Sequence, residues 1–157
     1  MLFRSYLGYA QLDETTWLSP RASSELQALR EAERIRVEPF AARYDGDPRG
    51  LLARAWDLDG LARAYLGWLG EAREMVEPVG LDAPDEAVFA ARSRLVHEWR
   101  KFLFRDPGLP GELLPERWPG TQATEFFHVE SARLLPAASR FVDCCLLATG
   151  SRTAHAP

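Results

Sequence analysis

Residues 94–120 read Arg-Leu-Val-His-Glu-Trp-Arg-Lys-Phe-Leu-Phe-Arg-Asp-Pro-Gly-Leu-Pro-Gly-Glu-Leu-Leu-Pro-Glu-Arg-Trp-Pro-Gly. The stretch opens as the second half of an amphipathic helix and stops at Asp106-Pro107. It crosses a loop pinned by Pro107, Pro110 and Pro115, then ends at Trp118-Pro119-Gly120, where another helix begins. Such a loop loses little entropy on folding, because proline already restricts its unfolded state. It also carries a Trp and three Leu, which a free tether would not need. Two long helices joined through a rigid, partly apolar loop therefore set the expected architecture.

The helical wheel over Val88–Phe104 supports this. Val88, Ala91, Leu95, Trp99 and Phe102 form one stripe, widened by Val96 and Leu103, while Arg94, His97, Glu98 and Lys101 lie opposite. Asp82 with Pro84 marks the start of this helix. Upstream, Asp47-Pro48 is a cap-then-proline signal for a short helix through Trp56. Asp57 caps the next, which places Leu58, Leu61, Ala62, Tyr65, Leu69 and Ala72 on one face. Downstream, residues 119–147 read as a helix with Ala123, Phe126, Phe127, Leu134, Phe141 and Cys145 inward. Pro136 should kink or split it, because an interior proline removes a backbone hydrogen bond at a cost of about 3 kcal/mol.

The first 46 residues read differently. Residues 2–7 look like the tail of a helix closed by Gly8. Residues 9–12 and 16–18, across an Asp13-Glu14-Thr15 turn, read as a short hairpin. Ser19-Pro20 starts a helix to about Ala32, and Ile35–Tyr44 alternates as a strand with an edge-type Pro39. Helix tail, hairpin, helix and strand make up the later part of a ferredoxin-like βαββαβ unit whose first strand is missing. The expected class is α+β and predominantly helical. Residues 1–46 form the partial ferredoxin-like domain, 47–148 an all-α C-terminal domain, and 149–157 a flexible tail.

Composition bounds the function. The 157 residues are 46% hydrophobic and 27% charged, so the chain fits one medium domain, or a small one followed by a larger one, and can build a core without staples. A net charge of −4 argues against non-specific nucleic-acid binding, which needs a basic patch or stripe. Eighteen of the nineteen basic residues are Arg, suited to bidentate carboxylate or phosphate contacts. Cys144 and Cys145 are helical neighbours about 100° apart, poorly placed for a mutual disulfide, and no zinc-type spacing exists. The start lacks a signal peptide and no apolar run reaches 18 residues, so a cytoplasmic protein without membrane contact is expected.

Three readings of residues 94–128 compete. Between Arg94 and Arg105 stand four basic residues against one acid. That face suits an anionic ligand with phosphates, and it equally suits a solvated helix surface with an Arg94–Glu98 i,i+4 pair. His97 and Glu98 begin a zincin-like motif, but Lys101 occupies the second-histidine position, so a metal would require His128 to approach from the next helix together with Asp106. No G-x-S-x-G, P-loop or dinucleotide fingerprint is present. Trp118, at the end of the rigid loop, is the tryptophan placed to line a pocket.

Three runs, Arg94–Lys101, Arg105-Asp-Pro-Gly-Leu-Pro-Gly-Glu-Leu-Leu-Pro115 and Trp118-Pro-Gly120, resemble PaaX-type transcriptional repressors. Leu51-Leu-Ala-Arg-Ala-Trp-Asp-Leu-Asp59 and Gly8–Pro20, with its Trp17-Leu-Ser-Pro, extend the resemblance in register to about Leu147. It implies a bacterial regulator of aromatic-acid catabolism, typically of phenylacetate. Such proteins have an N-terminal winged helix, a ferredoxin-like middle domain similar to the small nuclease of CRISPR adaptation, and a helical C-terminal region. They act as homodimers released from DNA by phenylacetyl-CoA.

This sequence has no winged helix, so operator binding by the chain alone is not expected. Nuclease activity is not expected either, because the nucleases' acidic residue lies on the missing strand. The expected function is effector sensing and dimerisation, without catalysis, cofactor or resident metal. Arg94, Arg100, Lys101 and Arg105 are the candidate phosphate partners of an acyl-CoA-type effector. Phe104 and Trp118 would contact its acyl or aromatic part, and His97 and His128 would orient it. The enzyme alternative is a metal-dependent nuclease or hydrolase using His97, Glu98, Asp106 and His128. An interaction module without ligand would splay Arg100, Lys101 and Arg105 into solvent.

Overall fold

The computed structural model describes residues 8–21, 26, 28, 31, 37–80 and 82–153, with the backbone alone described for 149–153. A hairpin of β1 (Ala10–Gln11) and β2 (Trp17–Leu18) is followed by α1 (Pro48–Ala55), α2 (Leu58–Val76), α3 (Asp85–Trp99) and α4 (Pro119–Thr153). Short 3-10 turns at Arg100–Phe104 and Gly111–Leu113 lie between α3 and α4. The predominantly helical α+β class expected from the sequence is the one observed. The expected helix tail at residues 2–7 lies outside the described residues. Of the helix expected from Ser19 to Ala32, Leu26, Ala28 and Glu31 are helical, whereas Ser19, Pro20 and Arg21 are described and are not, so no helix begins at Ser19-Pro20; Ser19 Oγ instead donates to Arg21 O at 2.8 Å.

The chain divides into two compact units, residues 1–61 with 102–116 and residues 62–101 with 117–157. In the first unit the hairpin forms as expected, with Ala10 opposite Leu18 and Gln11 opposite Trp17. Its turn is held by Asp13, whose Oδ1 accepts the N–H groups of Thr15 and Thr16, both at 2.8 Å. These bonds, the Thr15 amide first, hold the Asp13 carboxyl below the usual carboxylate range. Asp47 caps α1 by accepting from Arg49 N and Gly50 N, and Asp57 caps α2 by accepting from Gly60 N at 2.8 Å. Both caps satisfy amides that a helix start leaves without intrahelical partners.

The strand expected over Ile35–Tyr44 is not formed among its described residues. Val37–Tyr44 carries no ladder, and Phe40 is 87% exposed. Alternation suits a half-buried strand only where a neighbour supplies the ladder, and Pro39 removes one of the few donors available.

The second unit is the helical core. The expected face of α2 is buried at Tyr65, Leu69 and Ala72, and Trp68 adds a side chain only 1% exposed. Helices α3 and α4 run antiparallel. Asp85 meets Arg140, Phe89 lies 5.1 Å from Phe141 between ring centroids, and Arg92 reaches Ser131. Leu95, Ala123, Leu134 and Ala138 are buried in this unit. Arginines also fasten helices to backbone oxygens: Arg92 Nε donates to Ser131 O at 3.1 Å, and Arg133 Nη1 to Val79 O at 3.0 Å. Arg140 grips Asp85 with two bonds of 2.6 and 2.9 Å. That grip holds the Asp85 carboxyl below, and the Arg140 guanidinium above, its ordinary value.

Several local expectations are corrected. Asp82 does not cap α3; Pro84 occupies the cap position without a side-chain bond, and Val88 N bonds to Pro84 O. Asp82 sits two residues too early to reach the first free amides. Helix α4 runs through Pro136 without a break. Pro136 and Ala132, whose carbonyl loses its partner, are both exposed, so water can satisfy the freed oxygen. Cys145 is exposed rather than inward. The α4 backbone continues to Thr153, into the segment expected as tail.

Leu103, placed on the inward stripe, is 64% exposed, whereas Phe102 is 3% exposed. The α-helix gives way to a 3-10 turn at Arg100, and the rotation per residue rises from about 100° to about 120°. Phe102, three residues after Trp99, stays in phase, and Leu103 is carried out.

Candidate functional site

Within the second unit, aromatic rings from three elements meet. Trp99 at the end of α3 stacks on Phe127 of α4, centroids 4.7 Å apart and planes 8° from parallel. Trp68 of α2 lies 4.9 Å from Trp99 and meets Phe126 edge-on at 6.2 Å. Tyr65 lies 6.1 Å from Trp99 and, edge-on, 6.1 Å from Trp118. Trp68 and Tyr65 are buried, whereas Trp99, Phe127 and Trp118 are half-buried and keep part of their rings accessible. Offset and edge arrangements of this kind add about 0.5–1.5 kcal/mol per pair beyond simple burial. Arg73 stands 5.9 Å from the centroid of Phe126.

The last turns of α3 and the residue after it present two guanidinium groups and an imidazole. Arg94, His97 and Arg100 are exposed. Lys101 is half-buried and donates to Glu98 Oε2 at 3.3 Å, so Glu98 pairs with Lys101 rather than with Arg94. Arg100 stands at a helix C-terminus, whose carbonyl ends carry partial negative charge and favour cations. The arrangement can therefore be stable without a ligand and can also receive an anion. On α4, His128 is exposed, its ring edge-on to Phe127 at 5.6 Å.

The remaining expected residues lie in the first unit. Phe104 is 39% exposed and Arg105 is exposed. The loop after them is anchored. Asp106 Oδ1 accepts from Gly108 N at 2.7 Å, and Pro107 O accepts from Arg21 Nη2 at 3.3 Å. Pro107 and Leu109 are buried. Gly108 holds a φ of +63°, and a Cβ there would run into the Arg21 guanidinium. Trp56 Nε1 donates to Gly8 O at 3.3 Å and ties α1 to the same region. Of the eight expected ligand residues, then, Arg94, His97, Arg100, Lys101, Trp118 and His128 belong to the second unit, and Phe104 and Arg105 to the first.

Among the described residues no group of three His, Cys, Asp or Glu is placed to hold an ion, so His97, Glu98, Asp106 and His128 do not form a site. His97 is exposed, and Glu98 is already engaged by Lys101. Trp99 and Phe127 were legible as inward residues, but their half-exposed stack was not. The signal for it is the change of helix type at Arg100, which sequence periodicity does not carry. No helix among the described residues is long and apolar enough to cross a membrane.

Comparison with known proteins gives this geometry a family. The model of the PaaX-like protein C-terminal domain matches residues 56–144, a range that contains all eight candidate residues. The transcriptional repressor PaaX of Escherichia coli (strain K12) is 32% identical over 99 residues, 60% of this chain and 31% of the repressor. An uncharacterized protein of Mycobacterium tuberculosis has a similar fold, with a TM-score of 0.53 at 22% identity, over 88% of this chain and 53% of that one. The chain thus spans about a third of the repressor's length and about half of the mycobacterial protein's. With more than half of its residues matched in register, the chain belongs to the PaaX-like family and carries that family's C-terminal domain.

Proposed function

We propose that this chain is the effector-sensing and dimerising portion of a PaaX-like transcriptional regulator of aromatic-acid catabolism, with phenylacetyl-CoA as effector. Residues 1–46 would belong to a ferredoxin-like middle domain and 47–148 would form the sensing domain. Operator contact is assigned to none of these residues, and no catalytic step is assigned either.

The observation that supports the reading is a juxtaposition in the second unit. The exposed cations Arg94 and Arg100 and the exposed His97 ring lie at the end of the helix that carries Trp99 of the accessible Trp99–Phe127 stack. An acyl-CoA offers the complement, with several phosphates for guanidinium forks and flat rings for an aromatic face. Within that unit Lys101 would add a phosphate contact, Trp118 would pack the acyl part, and His97 and His128 would orient it; Phe104 and Arg105 belong to the first unit and are given no part in it. To act as an inducer, the ligand must bind the DNA-released conformation better than the DNA-bound one.

Calorimetric titration tests the reading. Phenylacetyl-CoA should bind with measurable heat, CoA alone more weakly and phenylacetate more weakly still. Arg94→Ala with Arg100→Ala should weaken binding by roughly tenfold or more, since charged hydrogen bonds are worth about 1.5–3 kcal/mol. A folded sample that binds phenylacetyl-CoA no better than phenylacetate overturns it.

A further inference from the structure

The two cysteines, Cys144 and Cys145, stand side by side in the last third of α4, in the second unit, and the ligand reading uses neither. Both are exposed and outside any disulfide. The helix is unbroken through them, so helix geometry fixes their relative placement. Neighbouring residues sit about 100° apart around the axis and about 1.5 Å apart along it, which sets their Cβ atoms roughly 5 Å from each other. A disulfide needs Cβ atoms about 3.8 Å apart, so the pair cannot close on itself while the helix stays wound.

The same spacing suits an ion between the sulfurs. Two metal–sulfur bonds of about 2.3 Å laid end to end hold the sulfurs about 4.6 Å apart. Staggered side-chain rotamers of adjacent helical cysteines reach that separation with the backbone in place. Two soft thiolates in line are the coordination that closed-shell ions of the copper(I) kind prefer. Zinc takes four ligands, and among the described residues no group of three or more His, Cys, Asp or Glu is placed to hold an ion. The sequence carries no zinc-type spacing, and a two-coordinate ion requires none. The surroundings favour a soft, weakly hydrated cation. Val142, Leu146 and Leu147 flank the pair as exposed apolar side chains. The Arg140 guanidinium, one turn before Cys144, is gripped by Asp85, which compensates its charge.

We propose that Cys144 and Cys145 form a two-coordinate site for a soft closed-shell ion of the copper(I) class, held between two thiolates of one helix. Each sulfur gives its proton to solvent and a lone pair to the metal, so one singly charged ion displaces two protons and no electron is transferred. At about 1.5 Å per residue, roughly 25 Å of helix separates Cys144 from Phe127, so the site stands apart from the aromatic stack. Failure of effector binding leaves it standing.

The test uses the full chain, reduced and kept free of air. Copper(I) is presented as its bicinchoninate complex, whose colour fades as the protein takes the ion. One ion per chain should bind, with release of two protons and protection of both thiols from a thiol-specific reagent. Cys144→Ser and Cys145→Ser should each lower the affinity by roughly a hundredfold or more, because half the ligands are gone. Cys145→Ser combined with Leu146→Cys keeps two thiols but turns them about 200° apart, and should bind no better than Cys145→Ser alone. These positions are exposed, and circular dichroism reports that each variant is folded. Half an ion per chain, which means a site shared between copies, overturns the proposal. So does an affinity that survives either serine, returns with the displaced thiol, or is matched by zinc(II).

Discussion

The switch from α to 3-10 geometry at Arg100 makes a sharp claim about two adjacent side chains. By periodicity alone Phe102 and Leu103 both face inward; in the structure Phe102 is 3% and Leu103 64% exposed. Truncating a buried phenylalanine costs about 3–5 kcal/mol, from lost transfer free energy and an incompletely collapsed cavity. Leu103 buries about a third of its side chain, and full burial of leucine is worth roughly 1.5–3 kcal/mol, so Leu103→Ala should cost about 0.5–1 kcal/mol. Urea unfolding followed by far-ultraviolet circular dichroism separates the two. With a slope of about 2 kcal/mol per molar, Phe102→Ala should lower the midpoint by about 1.5–2.5 M and Leu103→Ala by about 0.5 M or less. Equal shifts, or a larger one for Leu103→Ala, would mean that the α-helix continues past Arg100, and the reasoning about phase would fall.

Gly108→Ala should destabilise by about 1–3 kcal/mol, because alanine must adopt the left-handed φ while the Arg21 guanidinium moves aside; a thermal melt that does not shift refutes this. Asp57→Ala should cost about 1 kcal/mol by leaving the Gly60 amide uncapped at the start of α2, read as a lower midpoint in urea. Asp85 predicts a pH effect. Its carboxyl titrates below 3.8 when folded, so the unfolded chain binds the proton more readily. The stability it contributes is fully present above that value and is lost as pH falls through the folded pKa. Arg140→Ala should flatten this acid limb while lowering stability at neutral pH; an unchanged acid limb would show that the Arg140–Asp85 pair is not its source.

Local chemistry was the most legible part of the chain. Asp47 and Asp57 announced their helices because a cap needs only a short polar side chain and the two or three amides that follow it. The inward face of α2 followed from spacing alone. Where tertiary context decides, the reading failed. Val37–Tyr44 alternates correctly, yet a strand exists only with a partner, and a sequence pattern does not state whether one is present. Pro136 carries a real penalty, but an exposed α4 surface lets water absorb part of it, and packing on both sides maintains the helix. At the candidate site the basic side of α3 was legible. The accessible Trp99–Phe127 stack was not, because the spacing of apolar residues tells inside from outside and does not tell buried from half-buried.

Residues 102–116 pack with the first unit although they lie between α3 and α4 of the second. The segment that matches the family, 56–144, therefore begins inside one compact unit and takes in a piece that belongs with it. What is inherited together here is not what is compact together. Expressing residues 62–157 alone would remove the cap and first turn of α2 and take Phe102, Pro107 and Leu109 out of their unit, whereas deleting 102–116 would leave α3 and α4 to be rejoined by a new turn. Division of labour in this chain thus cannot be recovered by cutting at one point along it. Any minimal version must keep residues 8–21 and 47–61 beside the loop they shelter.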